Sequence, residues 1–362
     1  MARYHHLYGN VSARKKKVRN RKIFLFTLLF LFILLVIGLM TVYQIILKPN
    51  VWTADGERVE IIIPTGTVYE DVKQTLYSKG VIVNRNTFEM VSKALQYTEK
   101  VKPGRYLIDA SMNNLELVRL LRSGKQSPVQ LTFNNMRDVV QLAGRVSTQI
   151  ELDSASLIER LSDTAYLRFL GFNLQTIPAL FIPNTYEFYW TTNAENFVSR
   201  MYQEYKRFWN DDRLAKATAI GFTPVEVSTL AAIVDKETNM NDEKQRIAGV
   251  YINRLRGGWR LQADPTLVFA AGDFEIRRVL DIHKSIESPY NTYKYTGLPP
   301  GPICIPSIAS IDAVLNFEKH RFYFFCAKDD LSGYHAFAET YDQHQMNAWR
   351  YRQALDRLNI KR

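Results

Sequence analysis

Cysteine is almost missing from this chain: Cys304 and Cys326 are the only two in 362 residues. Two cysteines make no disulfide framework, so the folded parts must rest on packed cores, and the pair reads as two buried thiols. Histidine is scarce as well. The six present show no HExxH or similar ligand spacing, so neither a metal site nor another cofactor is expected. The sole Ser-x-x-Lys match, Ser12–Lys15, lies in a basic N-terminal stretch, which disfavours the serine chemistry of penicillin-binding enzymes. Acidic residues are absent from positions 1–22, where eight Lys or Arg gather. Removing those eight from the 47 basic residues leaves 39 against 36 acidic ones, a balance of only +3. The net charge of +11 therefore belongs mostly to the tail and gives no reason to expect a nucleic-acid partner.

The next stretch gives the tail its reason. Ile23–Leu47 is a run of 25 residues broken only by Thr27, Gly38, Thr41, Tyr43 and Gln44. About 20 apolar residues cross a bilayer, so the spacing predicts a transmembrane helix over 23–47 with lipid as its partner. A cleaved signal would have a shorter apolar core and a small-residue cleavage site. Basic residues crowd the N-terminal flank, which places 1–22 as a cytoplasmic tail and everything from residue 48 outside. Over the whole chain, 46% apolar and 23% charged residues are ordinary for globular proteins and exclude wholesale disorder.

Beyond the span, Glu57–Pro64 reads as a strand. Two helices come after it, around Val68–Tyr77 and Thr87–Leu95, then a short strand Arg105–Ile108. A third helix, capped by Asn113 or Asn114, ends at Gly124. This is a small β-α-α-β-α module. A larger unit opens at Val129–Phe133, and the expected class is α+β throughout. Phe181–Trp190 and Tyr202–Trp209 are rich in aromatics, which more often make core, although the first piece would also suit the wall of a sugar-binding cleft.

The centre of the larger unit is Thr223–Thr266. Thr223 can cap a helix, Pro224 suits its first position, and Glu226 completes a capping box. Val227, Leu230, Ala231 and Val234 recur at helical spacing and mark one inward face. Glu237 falls in the last turn beside that stripe. Apolar neighbours and the negative helix end both disfavour its charged form, so its pKa should rise, as a general acid requires. The plainer reading is a solvated last-turn residue, or one that pairs with Lys236 or Arg246. A second amphipathic helix spans Ile247–Leu255, Arg260–Thr266 is read as extended because of Pro265, and Ser288–Pro302 is a proline-stiffened loop. Ser307–Asn316 is another helix, His320–Cys326 a buried strand with Tyr334–Phe337 as hairpin partner, and Tyr341–Leu358 a terminal helix.

Three stretches together, VDKETNMNDEKQRIAGVYINRLRGGWRLQADPT, SPYNTYKYTGLPPGPICIP and YHAF, closely resemble the YceG-like endolytic murein transglycosylases. KPGRYLI, LVRLLRSGK and FIPNTYEF extend the resemblance upstream. It implies a LysM-like module over 48–128 and a catalytic domain over 129–362. It implies cleavage of the MurNAc-β-1,4-GlcNAc bond inside nascent peptidoglycan strands, leaving 1,6-anhydro ends. It also implies peptidoglycan synthases such as penicillin-binding proteins as neighbours, at the cytoplasmic (inner) membrane with the catalytic domain in the periplasm. Glu237 then falls on the family's catalytic acid, and Asn253, Gln262, Asp264, Tyr290, Asn291 and Tyr293 become substrate-binding candidates. Three positions depart from the family pattern: Pro178-Ala179, Asn184 and Asp235. Two other readings stay open, a hydrolytic muramidase with Asp264 or Asp235 as second carboxylate, and a non-catalytic wall-binding anchor.

Overall fold

The computed structural model describes residues 5–53, 56–276 and 278–358, with side chains from residue 15 onward. The outermost residues of the expected tail 1–22 and domain 129–362 therefore lie outside the described residues. The protein is a mixed α and β molecule that divides into two compact units, residues 1–127 and 128–362.

The first unit begins with α1 (His5–Val42), whose last turn widens into a π-helical segment, Tyr43–Leu47. From Lys15 to Leu47 this helix is long and apolar enough to cross a membrane, and its apolar side chains face outward. The module behind it runs β1 (Val59–Ile63), α2 (Tyr69–Ser78), α3 (Arg85–Ala94), β2 (Gly104–Ile108) and α4 (Asn114–Ser123), with β1 antiparallel to β2. Asn113 is the cap of α4: its side chain accepts from Glu116 N at 2.9 Å while Glu116 accepts from Asn113 N at 3.0 Å. Asn114 does something else. It is wholly buried, donates to Ile45 O at 2.8 Å and accepts from Asn50 at 2.6 Å, tying the module to the end of the apolar helix. Ile61, Ile63, Leu76, Phe88, Tyr106 and Leu117 fill its core.

The second unit has two cores. The first packs around β3 (Val129–Phe133) and β4 (Asn184–Phe188), which pair antiparallel with Leu131 opposite Tyr186. Around them lie α5 (Val139–Ser147), α6 (Ser154–Ser162), α7 (Thr164–Phe169) and α8 (Ala194–Phe208). Phe181–Trp190 is thus a strand with its approach, and Phe181, Tyr186 and Phe188 point into this core. Tyr186 and Phe133 stack at 5.7 Å.

The second core gathers α9 (Asp211–Ile220), α10 (Pro224–Glu237), α11 (Lys244–Arg256), α12 (Asp264–Ala271) and, past the short α13 (Asp281–Lys284), α14 (Ile308–Leu315). A hairpin, β5 (Phe324–Ala327) with β6 (His335–Ala338), and the terminal α15 (Tyr341–Arg357) complete the unit. Four expectations need correction here. Helix α10 is buried on every side from Val227 to Asp235, because α9, α11, α12 and α14 all pack on it; it has no solvent face there. Pro265 does not prevent a helix but sits in the first turn of α12, where its missing N–H has no partner to lose. The strand expected over His320–Cys326 begins only at Phe324 and is half-buried, because one face carries α15 and the other stays partly open. Cys326 is accordingly half-buried, and only Cys304 is a core thiol; both are free. Close approach explains Gly249 on α11: a Cβ there would lie 2.4 Å from the Glu318 carbonyl oxygen.

Candidate active site

Helix α10 delivers the carboxylic acid. Its start is held by Thr223, whose hydroxyl accepts from Glu226 N at 3.3 Å while the Glu226 carboxylate accepts from Thr223 N at 2.7 Å. At its other end the helix closes with Glu237, where it emerges from the core into a cavity of about 920 Å³. Glu237 does not pair with Lys236 or Arg246. The hydroxyl of Tyr251, three helical positions before Arg254 on α11, donates to Glu237 Oε1 at 2.5 Å.

Tyr251 is buried and edge-on to Phe325 at 5.8 Å, so the core fixes its hydroxyl where Glu237 ends. Arg254 is buried beside it without a carboxylate in ion-pairing range among the described residues. Its guanidinium donates to the carbonyls of Tyr323 at 2.7 Å and Leu261 at 2.5 Å, which binds the hairpin and the approach to α12 onto α11.

Burial pushes the Glu237 carboxyl from its ordinary 4.5 up to about 7. The Tyr251 hydroxyl pulls the other way by stabilising the anion, the Asp264 charge adds to the rise, and Arg254 opposes it. Burial is thus the leading cause. Burial also raises Tyr251 far above the usual phenol range, and the neighbouring Glu237 charge adds to it, so this hydroxyl stays a donor.

Of the candidate catalytic and substrate-binding residues, Glu237 and Asp264 line the cavity. Asp264 is exposed in the first turn of α12; it caps nothing and accepts from the Tyr293 hydroxyl at 2.5 Å. Burial, then that bond, pushes the Tyr293 phenol well up. The others build the frame. Asn253 donates to the carbonyls of His320 at 2.9 Å and Phe322 at 3.0 Å. Asn291 is fully buried; it donates to Lys284 O and Ile286 O and accepts from Tyr293 N, folding the loop on itself. Tyr290 packs its ring 4.6 Å from Phe269. Gln262 is exposed and holds a left-handed backbone at φ 51°, uncommon away from glycine. Its N–H reaches Thr292 O, and the neighbouring Ala263 N reaches Thr292 Oγ1, so the 261–266 and 290–293 segments are stitched together.

Asp235, one of the departures from the family pattern, points away from the cavity into a closed polar cluster. It accepts from the hydroxyls of Ser307 and Ser310, both at 2.5 Å, from Lys244 Nζ at 3.1 Å and from Asn135 Nδ2 at 3.0 Å. Burial alone would raise its carboxyl, but the two hydroxyls, Lys244 and Asn135 outweigh that and hold it below the ordinary range. The cluster pins the last turn of α10 to the starts of α11 and α14. Asn184, another departure, is exposed at the head of β4.

Sequence reasoning missed much of the rest of the cavity wall, including Arg137 from the loop before α5, Phe274, Arg278 and Val279 after α12, and Tyr351 and Arg352 on α15. Tyr251 carried a weak signal, since Ile247, Tyr251 and Arg254 share one face of α11. Among the described residues no group of three or more His, Cys, Asp or Glu comes together as metal ligands do.

The chain is similar to known proteins in sequence and in fold. The model of the YceG-like family matches residues 61–350. An endolytic murein transglycosylase of Bacillus subtilis is 26% identical over 312 residues, 81% of this chain and 84% of that protein. One from Streptococcus pneumoniae D39 is 24% identical over 319 residues, and the match spans 80% of this chain and 57% of that protein. The crystal structure of a YceG-like protein from Listeria monocytogenes aligns at a TM-score of 0.54 with 27% identity, covering 80% of this chain and 98% of that one.

Proposed function

The chain belongs to the YceG-like family, and from that membership we propose that it is a membrane-anchored endolytic lytic transglycosylase. Its substrate is the peptidoglycan strand, and it cuts the MurNAc-β-1,4-GlcNAc bond within nascent strands to leave 1,6-anhydro ends, which limits strand length. The carrying observation is Glu237: a carboxylic acid at the mouth of a buried helix, its pKa pushed by burial up to about 7, in a cavity with a fixed phenol at 2.5 Å.

In this reading Glu237 gives its proton to the glycosidic oxygen as the bond to the anomeric carbon breaks. The carboxylate left behind is stabilised by the Tyr251 hydroxyl and the nearby Arg254. It then takes the proton from the muramoyl 6-hydroxyl, whose oxygen bonds to the anomeric carbon of the same ring. The acid is regenerated and no water is consumed. A nucleophile already tethered to the reacting sugar needs little further ordering, which favours ring closure over hydrolysis. The sugar's 2-acetamido oxygen can hold the positive charge in place of a second carboxylate.

Residues 48–128 are proposed as a LysM-like module. The apolar helix is proposed to anchor the chain in the cytoplasmic membrane, with residues 1–22 inside and the catalytic domain 129–362 in the periplasm beside peptidoglycan synthases. Asn253, Gln262, Asp264, Tyr290, Asn291 and Tyr293 are proposed as substrate-binding residues, Gln262 and Asp264 as exposed side chains that can meet the sugar and the other four through the loops they hold.

One observation favours a second reading. Asp264 lines the same cavity, and a hydrolytic muramidase needs a second carboxylate to direct water. Mass spectrometry of the muramoyl ends made by the full-length protein separates the two. Transglycosylation leaves anhydro ends; hydrolysis leaves ends heavier by one water, and finding only those would overturn the primary reading.

A further inference from the structure

The cavity around Glu237 is more basic than a neutral glycan backbone requires. Arg137, Lys236, Arg278 and Arg352 all reach its wall, against two acids, Glu237 and Asp264. Asp264 already accepts from Tyr293. Arg137 pairs with Asp138 and lies over the Phe274 ring, 4.7 Å from its centre. Among the described residues, Lys236, Arg278 and Arg352 have no carboxylate within ion-pairing distance. Between these cations the wall is apolar, with Phe269, Phe274, Val279 and Leu355. Hydroxyls and acetamides carry no charge, so unpaired cations add little to binding of bare sugar. A chain of small apolar and acidic groups would use both features.

The substrate supplies such a chain. The muramoyl ring carries a lactyl ether on C3, two carbons from the anomeric centre, and a short acidic peptide hangs from it. A muramoyl ring whose anomeric carbon lies at Glu237 must lead that peptide through or along the same cavity. We propose that Lys236, Arg278 and Arg352, with Arg137, form a subsite for the carboxylates of the muramoyl peptide arm. The enzyme then selects peptide-bearing strands over stripped ones. This inference rests on the transglycosylase reading of the site.

The test uses the full-length protein in detergent with two polymers from one source, uncrosslinked strands bearing peptides and the same strands stripped of them by an amidase, with the lactyl carboxylate that this frees capped as a neutral amide. The readout is the ratio of kcat/KM on the two. Wild type should prefer peptide-bearing strands about tenfold, and Arg278→Gln/Arg352→Gln should bring the ratio near one, a change of the size two solvent-rimmed ion pairs supply. The preference should shrink as ionic strength rises. Equal cleavage of both polymers by wild type, or an equal loss on both in the variant, would overturn the subsite. Binding of the two polymers by the Glu237→Gln protein is measured alongside. Tighter binding of peptide-bearing strands there supports the subsite even if neither polymer is ever cut, which would instead sink the transglycosylase reading. Indistinguishable binding rejects the subsite on its own.

Discussion

Replacing Tyr251 with Phe removes one hydroxyl and leaves the ring against Phe325. That hydroxyl donates to Glu237 Oε1 at 2.5 Å and favours the carboxylate over the acid. A hydrogen bond to a charged acceptor is worth about 1.5–3 kcal/mol. At about 1.36 kcal/mol per pKa unit, its loss should raise the Glu237 pKa by about one to two units. The general acid works in its protonated form, so a higher pKa extends activity to higher pH. The assay is the pH profile of kcat/KM for strand cleavage. Wild type should lose activity as pH rises through about 7. In Tyr251→Phe that alkaline limb should move up by about one unit or more. The maximal rate should also fall, since the acid loses the group that aims it and its conjugate base loses a donor. Asp264→Asn supplies the opposite sign. The Asp264 charge raises the Glu237 pKa, so removing it should move the limb down. A limb that stays put in Tyr251→Phe, or moves down, would refute the electrostatic account of this site.

The same geometry sets three further outcomes. Glu237 is more basic in the fold than its ordinary 4.5, so the native state binds the extra proton between 4.5 and about 7 and stability falls as pH rises through that window. Glu237→Gln should therefore be more stable than wild type by about 2 kcal/mol above pH 7, after allowance for partial exposure, and should converge with it at low pH in denaturant titrations. Asp235→Ala strands the buried Lys244 ammonium and should cost about 3–5 kcal/mol. Because Asp235 titrates below its unfolded value, the wild-type contribution is present above the ordinary carboxylate pKa and disappears as pH falls through the lowered one, so acid titration should narrow the gap between the two proteins. Gly249→Ala puts a methyl 2.4 Å from the Glu318 carbonyl oxygen and should lower stability by about 1–3 kcal/mol, read as a drop in Tm with the pH profile unchanged in shape.

Local chemistry carried much of this site into the sequence. Thr223, Pro224 and Glu226 announce where α10 starts because capping is settled within four residues, and the apolar spacing beyond them brings Glu237 to the edge of a core. The same spacing understated the burial of α10, since a pattern within one helix says nothing about how many neighbours cover it. Pro265 was misleading for a related reason: its effect depends on whether it stands in a first turn or an interior one. Asn253 and Asn291 have side chains suited to binding sugars, yet the Asn253 amide goes to backbone carbonyls that only the tertiary fold brings near, and the Asn291 amide closes its own irregular loop, whose path no periodicity reveals. The cations of the cavity wall were illegible because only the tertiary fold gathers them, and Tyr251 showed only its place on the inward face of α11 and not its bond to Glu237. Arg352 is distant from Glu237 along the chain and meets the same cavity only because α15 folds back toward α12.

The most direct test of the central claim is digestion of purified peptidoglycan strands by full-length wild type and Glu237→Gln protein, with the new ends identified by mass spectrometry. The variant must first be shown to be folded by its thermal transition. Wild type should release fragments with 1,6-anhydro-muramoyl ends and the folded variant should release none. Anhydro ends produced by Glu237→Gln at the wild-type rate would contradict the account.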